Sequence, residues 1–319
     1  MLNQSEIQRY SRQIRLREIG VAGQERLKSA RVLVIGAGGL GSPVLQYLVA
    51  AGVGHIGIVD YDRIDLSNLN RQVLYATDEV GQSKADRAAG RLREMNPDTE
   101  IRTWAERLTP ANALTILADY DIVVDCTDNF PVRFLINDAA VMLDKPVVYG
   151  AVYQFEGQVT VFNYQGGPTL RCLLPEPPHP LEVPSCAEGG VIGTIAGMIG
   201  TLQAAEVIKL ILGIGDVLRG KVFVYDSLTC ESYFFHLERN PELRPVEELK
   251  VYDEACQDEI PVRCLTYDEV RKMLDGGEAV QVIDVGDPAD YADHGMPCLR
   301  IPVYEIAARL GEIPADRPV

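Results

Sequence analysis

Residues 31–41 read RVLVIGAGGLG, an aliphatic run that ends in a glycine cluster, and Leu40 to Ala51 then carries apolar residues at helical density. The pattern is strand, tight turn, helix. Glycines 36, 38, 39 and 41 lack the Cβ atoms that would keep the backbone away from phosphates at a helix N-terminus. The next strand, HIGIVD at 55–60, ends on Asp60, where a carboxylate following the glycines can hold ribose hydroxyls. Taken alone, this unit reads as a site for a dinucleotide or an adenine nucleotide. A tight turn without ligand is the plainer alternative.

Outward from that unit, strands and helices alternate. Ala85 to Asn96 reads as helix, Glu100 to Ala105 as strand, Tyr120 to Cys126 as strand, Val132 to Leu143 as helix and PVVYGAV (146–152) as strand. Alternation of this kind predicts a doubly wound, mostly parallel α/β sheet covered on both faces. QVTVFNY (158–164), KVFVYDS (221–227) and CESYFFHL (230–237) are rich in β-branched and aromatic residues and predict an antiparallel continuation. Between them, Ile192 to Leu212 is apolar enough to suggest a membrane span, but Gln203, Glu206 and Lys209 fall along one side of it, so it reads as a core helix. Residues 165–186 hold six prolines and predict a mobile crossing loop. The acidic stretch 241–261 reads as a linker between a domain over 1–240 and a small module over 262–319.

Composition narrows the function. Across 319 residues, 46 acidic against 30 basic side chains leave a net charge of −16, and no Lys/Arg block offsets it, which argues against nucleic acid and anionic lipid as partners. The N-terminus lacks the apolar stretch of a secretory signal, and the 7 cysteines form no CxxC pair, so a cytoplasmic location with reduced thiols is expected. Three polar clusters follow strand ends: DLSNLNRQ (65–72), GQSKA (81–85) and CTDN (126–129). In an open parallel sheet such segments converge beyond the carboxyl ends of the strands. There Arg71 and Lys84 would neutralise phosphate charge, and Asp128 would hold Mg²⁺ bridging the phosphates. Taken singly, each of these residues is more ordinarily explained by a surface salt bridge.

Together with RYSRQ (9–13) and VPSCAEGGVIG (183–193), these motifs occur in the order of a known family. The chain resembles the E1-like adenylyltransferases that activate ubiquitin-like sulfur carriers for molybdopterin and thiamine synthesis. The resemblance implies that Asp60 binds ribose, that Asn68, Arg71 and Lys84 contact the triphosphate with Gln72 and Asn129 beside them, and that Asp128 places Mg²⁺. It further implies a homodimer, with Arg12 reaching the γ-phosphate in the partner subunit, and a carrier ending in Gly-Gly whose terminal carboxylate is adenylylated. Cys186 matches a cysteine that in some members joins covalently to the carrier; a small buried side chain is the alternative.

Two departures stand out. Many members hold structural zinc on two CxxC pairs, whereas here the first reads Thr169-Leu170-Arg171-Cys172 and the second region has no cysteine, so no zinc is expected. From about Val262 the chain resembles the opening of a rhodanese domain, with Gly286 where an arginine is usual, and it is expected to be truncated before the persulfide loop, so that a separate protein donates sulfur. Two other functions compete with adenylylation. An NAD-dependent oxidoreductase would use the same glycine turn but leaves Arg12, Arg71 and Lys84 unexplained and finds no histidine in a catalytic setting. A non-catalytic scaffold for a ubiquitin-fold partner would have no need of the phosphate-binding residues.

Overall fold

Val32 and Val34 pack to one side of strand β1 (Arg31–Ile35) and Leu33 and Ile35 to the other, and all four are buried. A strand covered on both faces has to be central. β1 pairs in parallel with β2 (His55–Val59) and β4 (Ile122–Asp125). β2 pairs in parallel with β3 (Glu100–Trp104), and β4 with β5 (Val147–Tyr153). From β5 the sheet continues antiparallel through β6 (Glu156–Phe162), β7 (Lys221–Asp226) and β8 (Glu231–His236). The order is β3-β2-β1-β4-β5-β6-β7-β8, the parallel sheet with an antiparallel continuation that the sequence predicts. This computed structural model describes residues 1–178, 189–243, 246–252, 265–277, 280–286, 297–302 and 305–314.

Helices α4 (Gly41–Ala51), α5 (Lys84–Met95) and α9 (Gly193–Leu212) bury apolar side chains in one core; α6 (Ala113–Ala118) and α7 (Phe130–Met142) do so in the other. α9 is long and apolar enough to cross a membrane by length and composition. It packs instead along α4, β5 and β6, and its polar side chains are satisfied there. The Gln203 amide donates to Asp125 O at 2.8 Å and Val148 O at 3.2 Å, and Glu206 accepts from Leu218 N–H at 2.9 Å.

Three helices precede β1 that the hydrophobic pattern does not announce: α1 (Gln4–Arg9), α2 (Ser11–Ile14) and α3 (Gly20–Ser29). They close the C-terminal ends of α4 and α5. Gln13 and Gln24 donate to Ala51 O at 2.6 and 2.9 Å, and Asn96 donates to the Tyr10 hydroxyl and to Val49 O, both at 2.8 Å.

The stretch expected to be an irregular crossing loop contains a helical turn, α8 (Leu170–Leu173). Its Arg171 guanidinium grips Asp138 of α7 through two bonds, Nε at 2.9 Å and Nη2 at 2.8 Å. Tyr252 joins the pair, its hydroxyl donating to Asp138 at 2.5 Å. Burial, then the Asp138 carboxylate, push the Tyr252 hydroxyl up to about 12. Leu249 and Tyr252, within the stretch read as linker, thus pack on the first of two compact units, Met1–Ala255. The second unit, Cys256–Val319, contains α10 (Tyr267–Asp275), a parallel pair of β9 (Ile283–Asp284) and β10 (Leu299–Arg300), and α11 (Ile306–Arg309).

Between β2 and α5 the chain is pinned by Glu79, which is 1% exposed. Its carboxylate accepts from Ala76 N–H at 2.8 Å, Arg87 Nε at 2.8 Å and Arg91 Nη2 at 2.9 Å. Burial opposes its charge, but the hydrogen bonds from Arg91 and Arg87 prevail and hold the carboxyl at about 2.

Two stability tests follow from this packing. A Cβ on Gly41 would sit 2.0 Å from Gly36 O, a backbone atom that cannot move aside, so Gly41→Ala is expected to cost more than about 4 kcal/mol in urea denaturation or to prevent folding. Glu79→Gln is expected to cost about 2 kcal/mol at pH 7. Because the folded-state carboxyl titrates below its ordinary 4.5, its contribution is complete above that pH and fades as pH falls toward 2, so the two proteins should converge in stability at low pH.

Candidate nucleotide site

A cleft opens at the carboxyl ends of β1, β2 and β4, where the glycine turn passes from β1 into α4. Gly36 takes φ +93°, and a Cβ there would meet Cys126 O at 2.6 Å, so only glycine fits. Gly41 is required for the close approach of α4 to the turn. Gly38 and Gly39 face the cleft, and a Cβ on Gly38 would meet only the Gln72 amide, at 3.4 Å.

Asp60 is tied to that turn. Its Oδ2 accepts from Ala37 N–H at 2.7 Å and its Oδ1 from Asp62 N–H at 2.8 Å. Burial pushes its pKa up, and the Lys84 ammonium is the strongest influence against that shift. Tyr75, which the sequence reading misses, holds the turn from below: its hydroxyl lies 2.8 Å from Ala37 O and 3.2 Å from Lys84 O. Burial, then Asp60, keep that hydroxyl protonated far above its ordinary range.

Arg71, Gln72, Lys84, Asp128 and Asn129 all line the same cleft despite their separation in the chain. Arg71 is steadied by Ser67 O at 2.9 Å and Asn70 Oδ1 at 3.0 Å. Gln72 is buried, and its Oε1 has no hydrogen-bond partner among the described residues. Such an orphaned acceptor is costly unless a ligand hydroxyl or amino group meets it. Asn129 caps α7, accepting from Val132 N–H at 3.0 Å, and Asp128 beside it is exposed. Lys84 is buried and paired with Asp62 at 2.9 Å.

Two sequence-derived candidates are not brought to this cleft. Asn68 caps a short turn, accepting from Asp65 N–H at 3.3 Å, and does not line it. Arg12 is exposed on α2, beside the C-terminal end of α4, a helix of 11 residues and so roughly 16 Å from the glycine turn at the other end. Cys186 lies outside the described residues. The structure adds residues that no motif marks. Arg133, 6% exposed, donates to Thr127 O at 2.6 Å and stacks on Tyr149 at 4.7 Å. Arg107 covers the Tyr61 ring at 4.1 Å on the side of Asp60 toward β3. Their only signal in the sequence is position just after a strand end or within the next helix.

The donor set suits a nucleoside triphosphate: backbone without Cβ atoms, the Asp60 carboxylate at the end of β2, an unpaired amide acceptor, and Arg71 and Lys84 as cations. One exposed carboxylate, Asp128, also suits Mg²⁺, which binds through one or two carboxylates together with substrate phosphates. The described residues contain no cluster of three or more metal-ligating side chains. Cys172 accepts from Thr169 N–H and Asn240 N–H, each at 3.4 Å.

A sulfur carrier protein adenylyltransferase of Thermus thermophilus is 54% identical over 74% of this chain and 89% of its own length. The probable adenylyltransferase/sulfurtransferase MoeZ of Mycobacterium tuberculosis is 45% identical over 91% of this chain and 77% of its own. The adenylyltransferase and sulfurtransferase MOCS3 of Culex quinquefasciatus is 44% identical over 96% and 74%. Among solved structures, Escherichia coli MccB with ATP shares the fold at a TM-score of 0.66 and 23% identity, covering 75% of this chain and 74% of that one. PaaA does so at 0.62 and 25%, covering 75% and 76%. The ThiF family profile matches residues 10–246, and the chain belongs to the ThiF family.

Proposed function

We propose that this protein is an ATP-dependent adenylyltransferase that activates the C-terminal glycine of a small ubiquitin-like sulfur-carrier protein. The observation that carries the reading is the convergence of Arg71, Lys84 and Asp128 on one cleft with the glycine turn and Asp60. Relatives named as sulfur carrier adenylyltransferases support the substrate class. A free carboxylate is a poor acyl donor because its leaving group would be oxide. Attack by the carboxylate oxygen on the α-phosphorus of ATP breaks the bond to the β-phosphate bridge, releases pyrophosphate and leaves an acyl-adenylate. The step needs no protein nucleophile. It needs the tail and the phosphates held in line and the charge leaving on pyrophosphate neutralised.

Arg71 and Lys84 supply fixed positive charge for the departing pyrophosphate, and Asp60 with Gln72 takes the ribose. Asp128 would hold Mg²⁺, which supplies further charge neutralisation when bound. Gly38 and Gly39 let the chain's backbone approach the phosphates. Sulfide-level sulfur delivered by a separate donor protein then attacks the acyl carbon, the bond from that carbon to the adenylate oxygen breaks, AMP leaves, and a thiocarboxylate is formed, in the cytoplasm. Cys186 is a candidate for covalent contact with the carrier.

Arg12 stands at the wrong end of α4 to serve its own cleft, which supports a homodimer in which each copy lends Arg12 to the other's triphosphate.

Labelled pyrophosphate should exchange into ATP only with Mg²⁺ and a carrier ending in Gly-Gly, and Asp128→Ala should reduce that exchange at least about a hundredfold. ATP binding without exchange on any carrier would favour a binding scaffold. Arg12→Ala and Asp128→Ala should each be inactive alone, yet mixing and reassociating them should restore about a quarter of wild-type exchange, because half of the dimers regain one intact site. No recovery, with subunit exchange verified, would place Arg12 outside the reaction.

A further inference from the structure

Lys84 is the cation of the cleft least able to reach water. Its side chain is 6% exposed, its ammonium lies 2.9 Å from Asp62 Oδ2, and the Asp62 side chain is 47% exposed. The pair is also built into the backbone: Lys84 N–H donates to Asp62 O at 3.0 Å, and Asp62 N–H donates to Asp60 Oδ1 at 2.8 Å. Asp62 thus joins the ribose acid to the phosphate-binding lysine at a fixed separation.

The unequal burial decides which partner gives way when a polyanion enters. A buried ammonium without a counter-charge is strongly disfavoured, so Lys84 keeps one at every stage. Asp62 is half in solvent and can be rehydrated at little cost, whereas Lys84 is enclosed by the body of the protein. Two anions competing for one ammonium in a confined space also repel each other.

On the reading of the cleft as an ATP site, we propose that Asp62 is a positioning residue that acts as a stand-in anion. It holds Lys84 in place while the triphosphate is absent and hands the ammonium over when the triphosphate binds. The exchange holds the empty site together and at the same time weakens ATP binding, and it favours release of pyrophosphate because a carboxylate waits to take the lysine back.

Calorimetric titration of ATP and of inorganic tripolyphosphate into Asp62→Asn tests this. Loss of the competing charge should tighten both by about three- to tenfold, and Asp62→Glu should return toward wild type. Against a Lys84→Ala background, Asp62→Asn should leave ATP affinity unmoved. The unliganded Asp62→Asn protein should melt below wild type, and its ATP-induced rise in Tm should exceed that of wild type. Should Asp62→Asn fail to fold, Asp62→Ser carries the same expectation. A purely structural Asp62 would lower Tm and leave affinity equal or weaker, which overturns the proposal while wild-type ATP binding keeps the nucleotide site standing. Absence of ATP binding by wild type would overturn both.

Discussion

The contact on which the rest of the site depends is the approach of Gly41 to the carbonyl of Gly36, too close for any Cβ between them. It allows α4 to begin immediately after β1 and directs the first turn of that helix at the cleft. Ala37, held between the two glycines, then gives its N–H to Asp60 and its carbonyl to Tyr75. One residue of the turn is thereby tied both to the end of β2 and to the side chain that also meets the start of α5. Loosening the glycine contact would move Asp60 and Lys84 together, since both are referenced to the same turn.

Much of this was legible in the sequence because it is local or periodic. Central strands such as RVLVI and IVVD are continuous apolar runs, as expected where helices cover both faces, and the glycine spacing is a backbone requirement that only one residue type meets. The N-terminal helices were not legible. α3, GVAGQERLKS, buries Gly23, Gln24 and Leu27, and much of its attachment is the hydrogen bond from Gln24 to a helix end. Hydrophobic periodicity does not register an attachment made by amides. Nor could it find α8, whose single turn between prolines is stabilised by an ion pair to a residue more than thirty positions earlier.

The site shows the same division. Arg71, Lys84 and Asp128 follow from motifs, but their electrostatic setting does not. That Asp62 neutralises Lys84, and that Arg133 lies beneath Thr127 near the buried Asp125, are facts of folding across the sheet. A chain with a net charge of −16 binds a polyanion only by concentrating its cations, and each concentrated cation needs a partner while the site is empty. Arg71 finds neutral oxygens, Arg133 an aromatic ring and a carbonyl, and Lys84 a carboxylate. Lys84 therefore meets a partner of full opposite charge that is itself half in solvent.

The crossing segment raises a related question, because many members of the resembling family are expected to tie this region with four thiolates and this chain has Cys172 alone among the described residues here. A structural zinc contributes on the order of 10 kcal/mol or more, whereas a thiol accepting two backbone N–H groups contributes a small fraction of that. The stronger attachment among the described residues is at Asp138. Its carboxylate receives the forked Arg171 and the Tyr252 hydroxyl, so α7, α8 and the segment leading to the second unit meet at one buried anion. Arg171 also donates to Pro175 O at 2.9 Å, carrying the same anchor into the proline-rich stretch. A planar guanidinium with several donors can fix three segments in direction as well as distance, which a lone thiol cannot. The described base of the crossing segment is thus ordered by a hydrogen-bonded carboxylate that fixes direction as well as distance.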